Sequence, residues 1–229
     1  IGLSNDSIEF LESQKILNKK NCWDVKKINL YKGENAKSFL NFESKKSNFF
    51  IASYNNFYKA LESSLKKNKL IKFKREKSKK FSLNIVKKNY EIIIINDTNN
   101  YLFKKYFSKR IKKNYNSIAF TTIISHNNLK NKTAEQYFTK FGPLAFLPIS
   151  KNKTSVVFSV FDKDLIKNNS NVLKLIKSYN HLYKIKHFST LQQFPINLSL
   201  SRNYFYKNIL LFGDALHRIH PLAGQGFNM

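Results

Sequence analysis

The run Ile209-Leu210-Leu211-Phe212-Gly213-Asp214-Ala215-Leu216-His217-Arg218-Ile219-His220-Pro221-Leu222-Ala223-Gly224-Gln225-Gly226-Phe227-Asn228 decides how this chain reads. An apolar stretch, Ile209 to Phe212, stops at Gly213-Asp214, and a Gly-x-Gly turn follows at Gly224–Gly226. In open α/β sheets, ligands lie beyond the carboxyl ends of the strands. A carboxylate placed there can accept hydrogen bonds from a sugar or polyol hydroxyl. The glycine turn lets backbone N–H groups come close to a ligand at the start of a helix. Three of the chain's six glycines fall in this one stretch, which points to a backbone requirement rather than to composition.

The 229 residues suffice for one large or two modest domains. A hydrophobic content of 42% and an aromatic content of 15% mark a folding chain rather than a disordered one. No apolar run is long enough to span a bilayer, and no secretory signal is visible. A start at Ile1 and a stop at Met229, just where a helix would begin, lead to the expectation of a piece of a longer protein.

The formal net charge of +27 first suggests nucleic acid. The composition argues otherwise. Of 41 basic residues only Arg75, Arg110, Arg202 and Arg218 are arginine, the residue suited to bidentate phosphate and base contacts. The lysines are spread along the chain, with short clusters such as Lys72–Lys80, so a solvated basic surface is expected and no nucleic-acid partner. Peripheral attraction to anionic lipid is the weaker reading that the charge also allows. Cys22 is the sole cysteine, which excludes an internal disulfide and fits a reducing, cytoplasmic setting.

Ser4 to Asn18 reads as a helix capped by Ser4 or Asn5, and Asn55 or Asn56 caps a second through Lys67, with Phe57, Leu61 and Leu65 on one face. Val25–Leu30 and Phe39–Phe42 read as short strands around Lys32-Gly33. Leu70–Phe73, Phe81–Val86 and Tyr90–Ile95 also read as strands. Ile92–Ile95 shows no alternation, as in a parallel strand buried on both faces, and runs into Asn96-Asp97. Ser117–Ser125, Ala134–Thr139, Ala145–Pro148 and Ser155–Phe161 follow in succession, which favours an antiparallel sheet. Val172–Tyr179 reads as a helix, and Phe194–Leu200 leads to the last strand.

Gly213 to Asn228 resembles the second flavin-binding motif of FAD-dependent aromatic-ring monooxygenases, above all the ubiquinone-biosynthesis hydroxylases, whose pattern is Gly-Asp-Ala-Ala-His-x-x-His-Pro-Leu-Ala-Gly-Gln-Gly-x-Asn. One fixed position departs, Leu216 for Ala. Weaker likenesses run upstream in the same order: Leu3-Ser4 through Leu11-Glu12 to Trp23, Gly142-Pro143-Leu144-Ala145-Phe146-Leu147-Pro148, and Phe194-Pro195-Ile196. The family's middle motif, Ala-Asp-Gly-x-x-Ser-x-x-Arg, stands here as Asn96-Asp97-Thr98-Asn99-Asn100-Tyr101-Leu102-Phe103-Lys104, where only the aspartate survives. The arginine that the family carries near the second helix has no counterpart around Asn55-Asn56.

The resemblance implies a mixed α/β fold like that of p-hydroxybenzoate hydroxylase, with a discontinuous FAD-binding domain on a parallel sheet and a β-rich substrate domain. Residues 1–47 would be a substrate-side insert, 48–105 an FAD-domain segment, 106–198 the β-rich domain and 199–229 the FAD segment with the Gly-Asp motif. The Gly-x-Gly-x-x-Gly unit would precede Ile1, so these residues alone would hold FAD poorly. The implied cofactor site is Gly213, Asp214, Pro221, Gly224, Gln225, Gly226, Phe227 and Asn228. Asp214 would accept from a ribityl hydroxyl, Pro221 would shape the wall beside the ring, and the amides of Gly226, Phe227 and Asn228 would face flavin N1 and O2. NAD(P)H would be the reductant, with O2 and a small aromatic, polyprenylated substrate as partners, in the cytoplasm or peripheral to the inner membrane, within a biosynthetic complex. No catalytic residue and no metal is assigned. His217 and His220 have the spacing of a ligand pair but no third ligand. Asp97 reads as a turn residue. The rivals are another FAD monooxygenase, an isoprenoid-acting flavin reductase, and, in a different class, an inactive product or a basic protein that binds RNA or a membrane surface.

Overall fold

The structure, a computed structural model, describes residues 1–34, 37–44, 47, 49–74 and 90–218. Its strands are β1 (Gly2–Leu3), β2 (Trp23–Val25), β3 (Lys27–Lys32), β4 (Leu40–Glu43), β5 (Phe49–Ile51), β6 (Ile93–Ile95), β7 (Arg110–His126), β8 (Thr133–Thr139), β9 (Gly142–Ser150), β10 (Lys153–Val160), β11 (Ile185–Phe188), β12 (Gln192–Ser201), β13 (Phe205–Tyr206), β14 (Ile209–Leu211) and β15 (His217–Arg218). Its helices are α1 (Asn5–Ser13), α2 (Tyr54–Lys67), α3 (Tyr101–Tyr106), α4 (Lys163–Ile166) and α5 (Asn169–Ser178). Two compact units form. One holds Ile1–Asn68 and Asn116–Pro195, and the other Lys69–Tyr115 with the stretch from Ile196. Among the described residues no helix is long and apolar enough to cross a membrane.

In the first unit β7, β10, β9, β8, β3 and β4 lie side by side in that order, and β11 pairs with β7. The β7–β10–β9–β8 ladders are antiparallel, as the succession of strands predicts, whereas β3 joins β8 in parallel. Burial alternates along β9: Leu144 and Phe146 are covered while Ala145 and Leu147 are half-buried. The covered face also carries Phe120, Val156 and Phe158, and α5 lays Val172 and Ile176 over it. Each such side chain contributes ~1.5–3 kcal/mol of burial.

A second sheet, in the order β1-β5-β2, packs against α1 and α2 through Leu3, Ile8, Leu11, Phe50 and Phe57. Ser4 caps α1, its hydroxyl accepting from the Ser7 amide at 3.1 Å, but the helix ends at Ser13 rather than at Asn18. Lys15, in a left-handed conformation at φ 55, terminates it. The α2 cap is Ser53 rather than Asn55 or Asn56, which lie inside the first turn. Leu70–Phe73 is not a strand, and Leu70 is 92% exposed. Phe81–Val86 lies outside the described residues.

The second unit is built on the order β13-β14-β6, with β14 and β6 parallel: Ile209, Leu210 and Leu211 face Ile93, Ile94 and Ile95. The expected parallel pairing is present, but burial on both faces is not. Ile93 and Ile95 are covered, while Ile94 is 62% exposed. The reason is one-sided cover: α3 and the residue after it bring Leu102, Phe103 and Phe107 onto Ile93, Ile95, Ile209 and Leu211.

Two core positions yield measurable consequences. Gly142 opens β9 at φ +132, and a Cβ there would sit 1.9 Å from the Ser159 carbonyl oxygen, which belongs to the backbone and cannot swing away. Gly142→Ala is therefore expected to cost about 3 kcal/mol or more in chemical denaturation; an unchanged midpoint would contradict this packing.

Glu135 is buried on the covered face of the large sheet, beside the Tyr31 and Tyr137 rings, which stack at 4.4 Å. The Tyr31 hydroxyl donates to Glu135 Oε1 at 3.0 Å, while Oε2 has no well-aligned partner among the described residues. Burial pushes the Glu135 carboxyl up, and the Tyr31 hydrogen bond and His181 pull back only part of that rise. The folded state then holds this proton more tightly than the unfolded chain. Stability should fall as pH rises from the ordinary glutamate range through the raised value, and stay lower above it. Glu135→Gln is expected to flatten that part of the stability–pH curve and to be more stable than wild type at pH 7; parallel curves for the two proteins would exclude it.

Candidate functional site

The site is built where β6 and β14 end. Because the strands are parallel, their carboxyl ends share one edge, and the Phe212 amide extends the ladder by donating to the Ile95 carbonyl at 2.9 Å. Beyond that edge stand Asn96-Asp97 on one strand and Gly213-Asp214 on the other. The two polar strand ends picked out in the sequence are thus neighbours in the second unit.

They do different things. Asp97 Oδ1 accepts from the Asn99 amide at 2.8 Å, and the Asp97 carbonyl accepts from the Asn100 amide at 3.1 Å. Its carboxylate closes the turn that leads into α3, which Asn100 caps through the Leu102 amide at 2.8 Å. Asp97 is thereby a turn residue, as its type predicts. Thr98 is not among the non-glycine residues at positive φ, so the chain turns here through the aspartate side chain rather than through a glycine.

Gly213 takes φ +55 and starts a single 3-10 turn, Gly213–Ala215, closed by the Leu216 amide on the Gly213 carbonyl at 2.9 Å. The left-handed conformation explains the glycine. Ala215 is fully buried in the core under α3, while Asp214 beside it is turned outward. The Asp214 side chain is 71% exposed and pairs with Arg218 across 3.3 Å. A pair this open to water is weakly held, so a ligand hydroxyl can replace the guanidinium.

The turn is fastened from behind by groups that the sequence reading did not single out. Arg110, at the start of β7, donates from Nη1 to the Ala215 carbonyl at 2.9 Å, from Nε to Ser199 Oγ at 2.7 Å and from Nη2 to the Ser199 carbonyl at 3.2 Å. Its guanidinium also lies 5.1 Å from the centre of the Phe103 ring. Ser201 Oγ donates to the same Ala215 carbonyl at 3.0 Å, and the Ser201 amide to the Leu216 carbonyl at 2.9 Å. The β12–β15 pairing, Ser199 to Arg218 and Leu200 to His217, continues the fastening. Burial, then the charge of Arg218, lowers the Arg110 pKa, yet a guanidinium stays protonated under any physiological condition. One signal was available in the sequence: arginine is scarce among 41 basic residues, and two of the four, Arg110 and Arg218, meet at this turn.

Of the residues expected to bind the cofactor, Gly213 and Asp214 are placed at this edge. Pro221, Gly224, Gln225, Gly226, Phe227 and Asn228 lie outside the described residues, as does His220. What is described suits a polyol: an acceptor-only carboxylate, outward-facing, at the carboxyl edge of a parallel strand pair.

No family model matches the chain. It is 26% identical over 160 residues to the ubiquinone biosynthesis monooxygenase COQ6, mitochondrial, of Danio rerio, a match covering 52% of this chain and 33% of that protein. It is 34% identical over 101 residues to the 3-demethoxyubiquinol 3-hydroxylase of Escherichia coli strain K12, covering 41% of this chain and 25% of that one. The matched stretches are thus a third or less of the relatives' own length. In structure the chain resembles PqsL of P. aeruginosa, solved with 2-aminobenzoylacetate, at a TM-score of 0.73 and 12% identity, over 99% of this chain and 71% of that one. It resembles p-nitrophenol 4-monooxygenase PnpA of Pseudomonas putida DLL-E4 at a TM-score of 0.73 and 8% identity, over 99% of this chain and 66% of that one. The chain is a homologue of the ubiquinone-biosynthesis hydroxylases and has the mixed α/β fold of the FAD-dependent monooxygenases.

Proposed function

We propose that the protein carrying this chain is an FAD-dependent, NAD(P)H-using monooxygenase that hydroxylates an aromatic intermediate of ubiquinone biosynthesis. The observation that carries the proposal is the outward-facing Asp214 carboxylate at the carboxyl edge of β6 and β14, within a run that reads as a flavin-binding motif. The homology to ubiquinone hydroxylases supports the choice of substrate class.

In this reading each residue has a physical task. Asp214 accepts from a ribityl hydroxyl and so fixes the polyol at the strand end. Gly213 supplies the backbone reversal that turns the carboxylate outward. Gly224 and Gly226, flanking Gln225, would let the backbone approach the ligand closely. The amides of Gly226, Phe227 and Asn228 would face N1 and O2 of the ring, where reduction places negative charge. Pro221 would shape the wall beside the ring. Bound there, FAD would supply hydride acceptance from NAD(P)H and activation of O2. The substrate would be a polyprenylated phenol, met in the cytoplasm or at the face of the inner membrane within a biosynthetic complex.

Two outcomes follow for the full-length protein. NADH- or NADPH-dependent oxygen uptake should be stimulated by a polyprenyl phenol, and Asp214→Ala should weaken FAD binding about tenfold or more, the loss of a hydrogen bond to a charged group; no uptake with any phenol would count against hydroxylation. Gly213→Ala should cost ~1–2 kcal/mol of stability for its left-handed backbone alone, because an added Cβ meets nothing within 4 Å. Denaturation with a cost near zero would show that the turn does not need this conformation.

A further inference from the structure

We propose that Arg110 is the positioning residue of the Asp214 site: it locks the carbonyl of Ala215 and thereby sets the direction in which the Asp214 carboxylate faces its ligand. This rests on the reading that Asp214 holds the FAD polyol. The geometry is specific. One guanidinium spans two segments of the second unit, reaching Ser199 through Nε and Nη2 and Ala215 through Nη1. The Ala215 carbonyl receives two donors, from Arg110 at 2.9 Å and Ser201 Oγ at 3.0 Å, which uses both of its lone pairs.

The consequence for Asp214 is mechanical. Asp214 occupies the middle of the Gly213–Ala215 turn, one peptide away from the doubly bound carbonyl. The turn's other end is held by the Phe212 amide on Ile95. With both flanks fixed, the backbone of Asp214 has little freedom, and the direction in which its side chain leaves the turn is set before a ligand arrives. That pre-organisation lowers the ordering cost of binding.

Charge alone does not account for Arg110. Among the described residues its hydrogen bonds all go to neutral acceptors, two carbonyls and one hydroxyl, and it joins no ion pair. What these acceptors use is the planar fork, which a lysine ammonium does not reproduce. Desolvating a cation without a carboxylate partner is costly, and the return is a fixed turn.

The test uses the full-length protein and two readouts. FAD dissociation constants are measured by flavin fluorescence for wild type, Arg110→Ala, Arg110→Lys, Asp214→Ala and the double variant Arg110→Ala/Asp214→Ala. Amide hydrogen exchange of the Gly213–Arg218 stretch is measured without FAD. The proposal expects faster exchange at Ala215 and Leu216 in both Arg110 variants. It expects FAD affinity to fall about tenfold in Arg110→Ala, with Arg110→Lys failing to restore it. The double variant should be no weaker than the weaker single, because both changes remove the same interaction.

Unchanged exchange overturns the proposal whatever FAD does. Faster exchange with multiplicative losses of affinity, or full rescue by Arg110→Lys, overturns the link from fork to carboxylate. Should Arg110→Ala fail to fold, Ser201→Ala, which removes one of the two donors to Ala215, takes its place with the same expectations at smaller size. If wild type itself binds no FAD, the reading of Asp214 has failed, and exchange alone decides whether Arg110 holds the turn.

Discussion

The parallel pairing of β6 with β14 is the constraint on which the site depends. Parallel strands end on the same edge, so the residues that follow each of them are delivered to one place. Three isoleucines lie opposite Ile209, Leu210 and Leu211, and the Phe212 amide adds one more bond before the chain breaks away. Everything polar at the edge is placed by that register. A shift of one residue would move Ile93 and Ile95 out of the core and turn Ile94 in.

The edge then separates two aspartates by their local chemistry. Asp97 spends its carboxylate on its own turn, accepting from the Asn99 amide. Asp214 makes an exposed pair with Arg218 but does not form the bend, because Gly213 supplies it and Arg110 with Ser201 holds the far side. A carboxylate relieved of structural work is available to a ligand. The distribution of labour between backbone conformation, a half-buried guanidinium and an exposed acid is what makes Asp214, and not Asp97, the residue on which a cofactor reading can rest.

Much of this was legible in the sequence, for local reasons. The Gly213-Asp214 pair announces a backbone reversal with an acid beside it, and Ile92–Ile95 running into Asn96-Asp97 announces a parallel strand ending in a polar pair. The antiparallel run β8–β9–β10 followed from adjacency along the chain, whereas β7 pairs with β10 and not with β8, its neighbour in sequence. What was not legible depends on partners distant in sequence. Ile94 reads like its neighbours, yet it is exposed because α3 covers one face only. The parallel join of β3 to β8 unites strands that no succession rule connects. Arg110 reads as one more basic residue in a lysine-rich chain, since its partners Ser199 and Ala215 lie 89 and 105 positions away. Helix ends moved for the same kind of reason: Asn55 and Asn56 are good caps by type, but tertiary packing starts α2 earlier, at Tyr54.

The account stands on Asp214 meeting the polyol of a flavin at the carboxyl edge of β6 and β14. A crystal structure of the full-length protein with FAD tests that directly. The predicted result is a carboxylate oxygen of Asp214 within hydrogen-bond distance of a ribityl hydroxyl, with the Gly213–Ala215 turn in the conformation described above. A flavin seated elsewhere, or an Asp214 that faces solvent while FAD is bound, would contradict it.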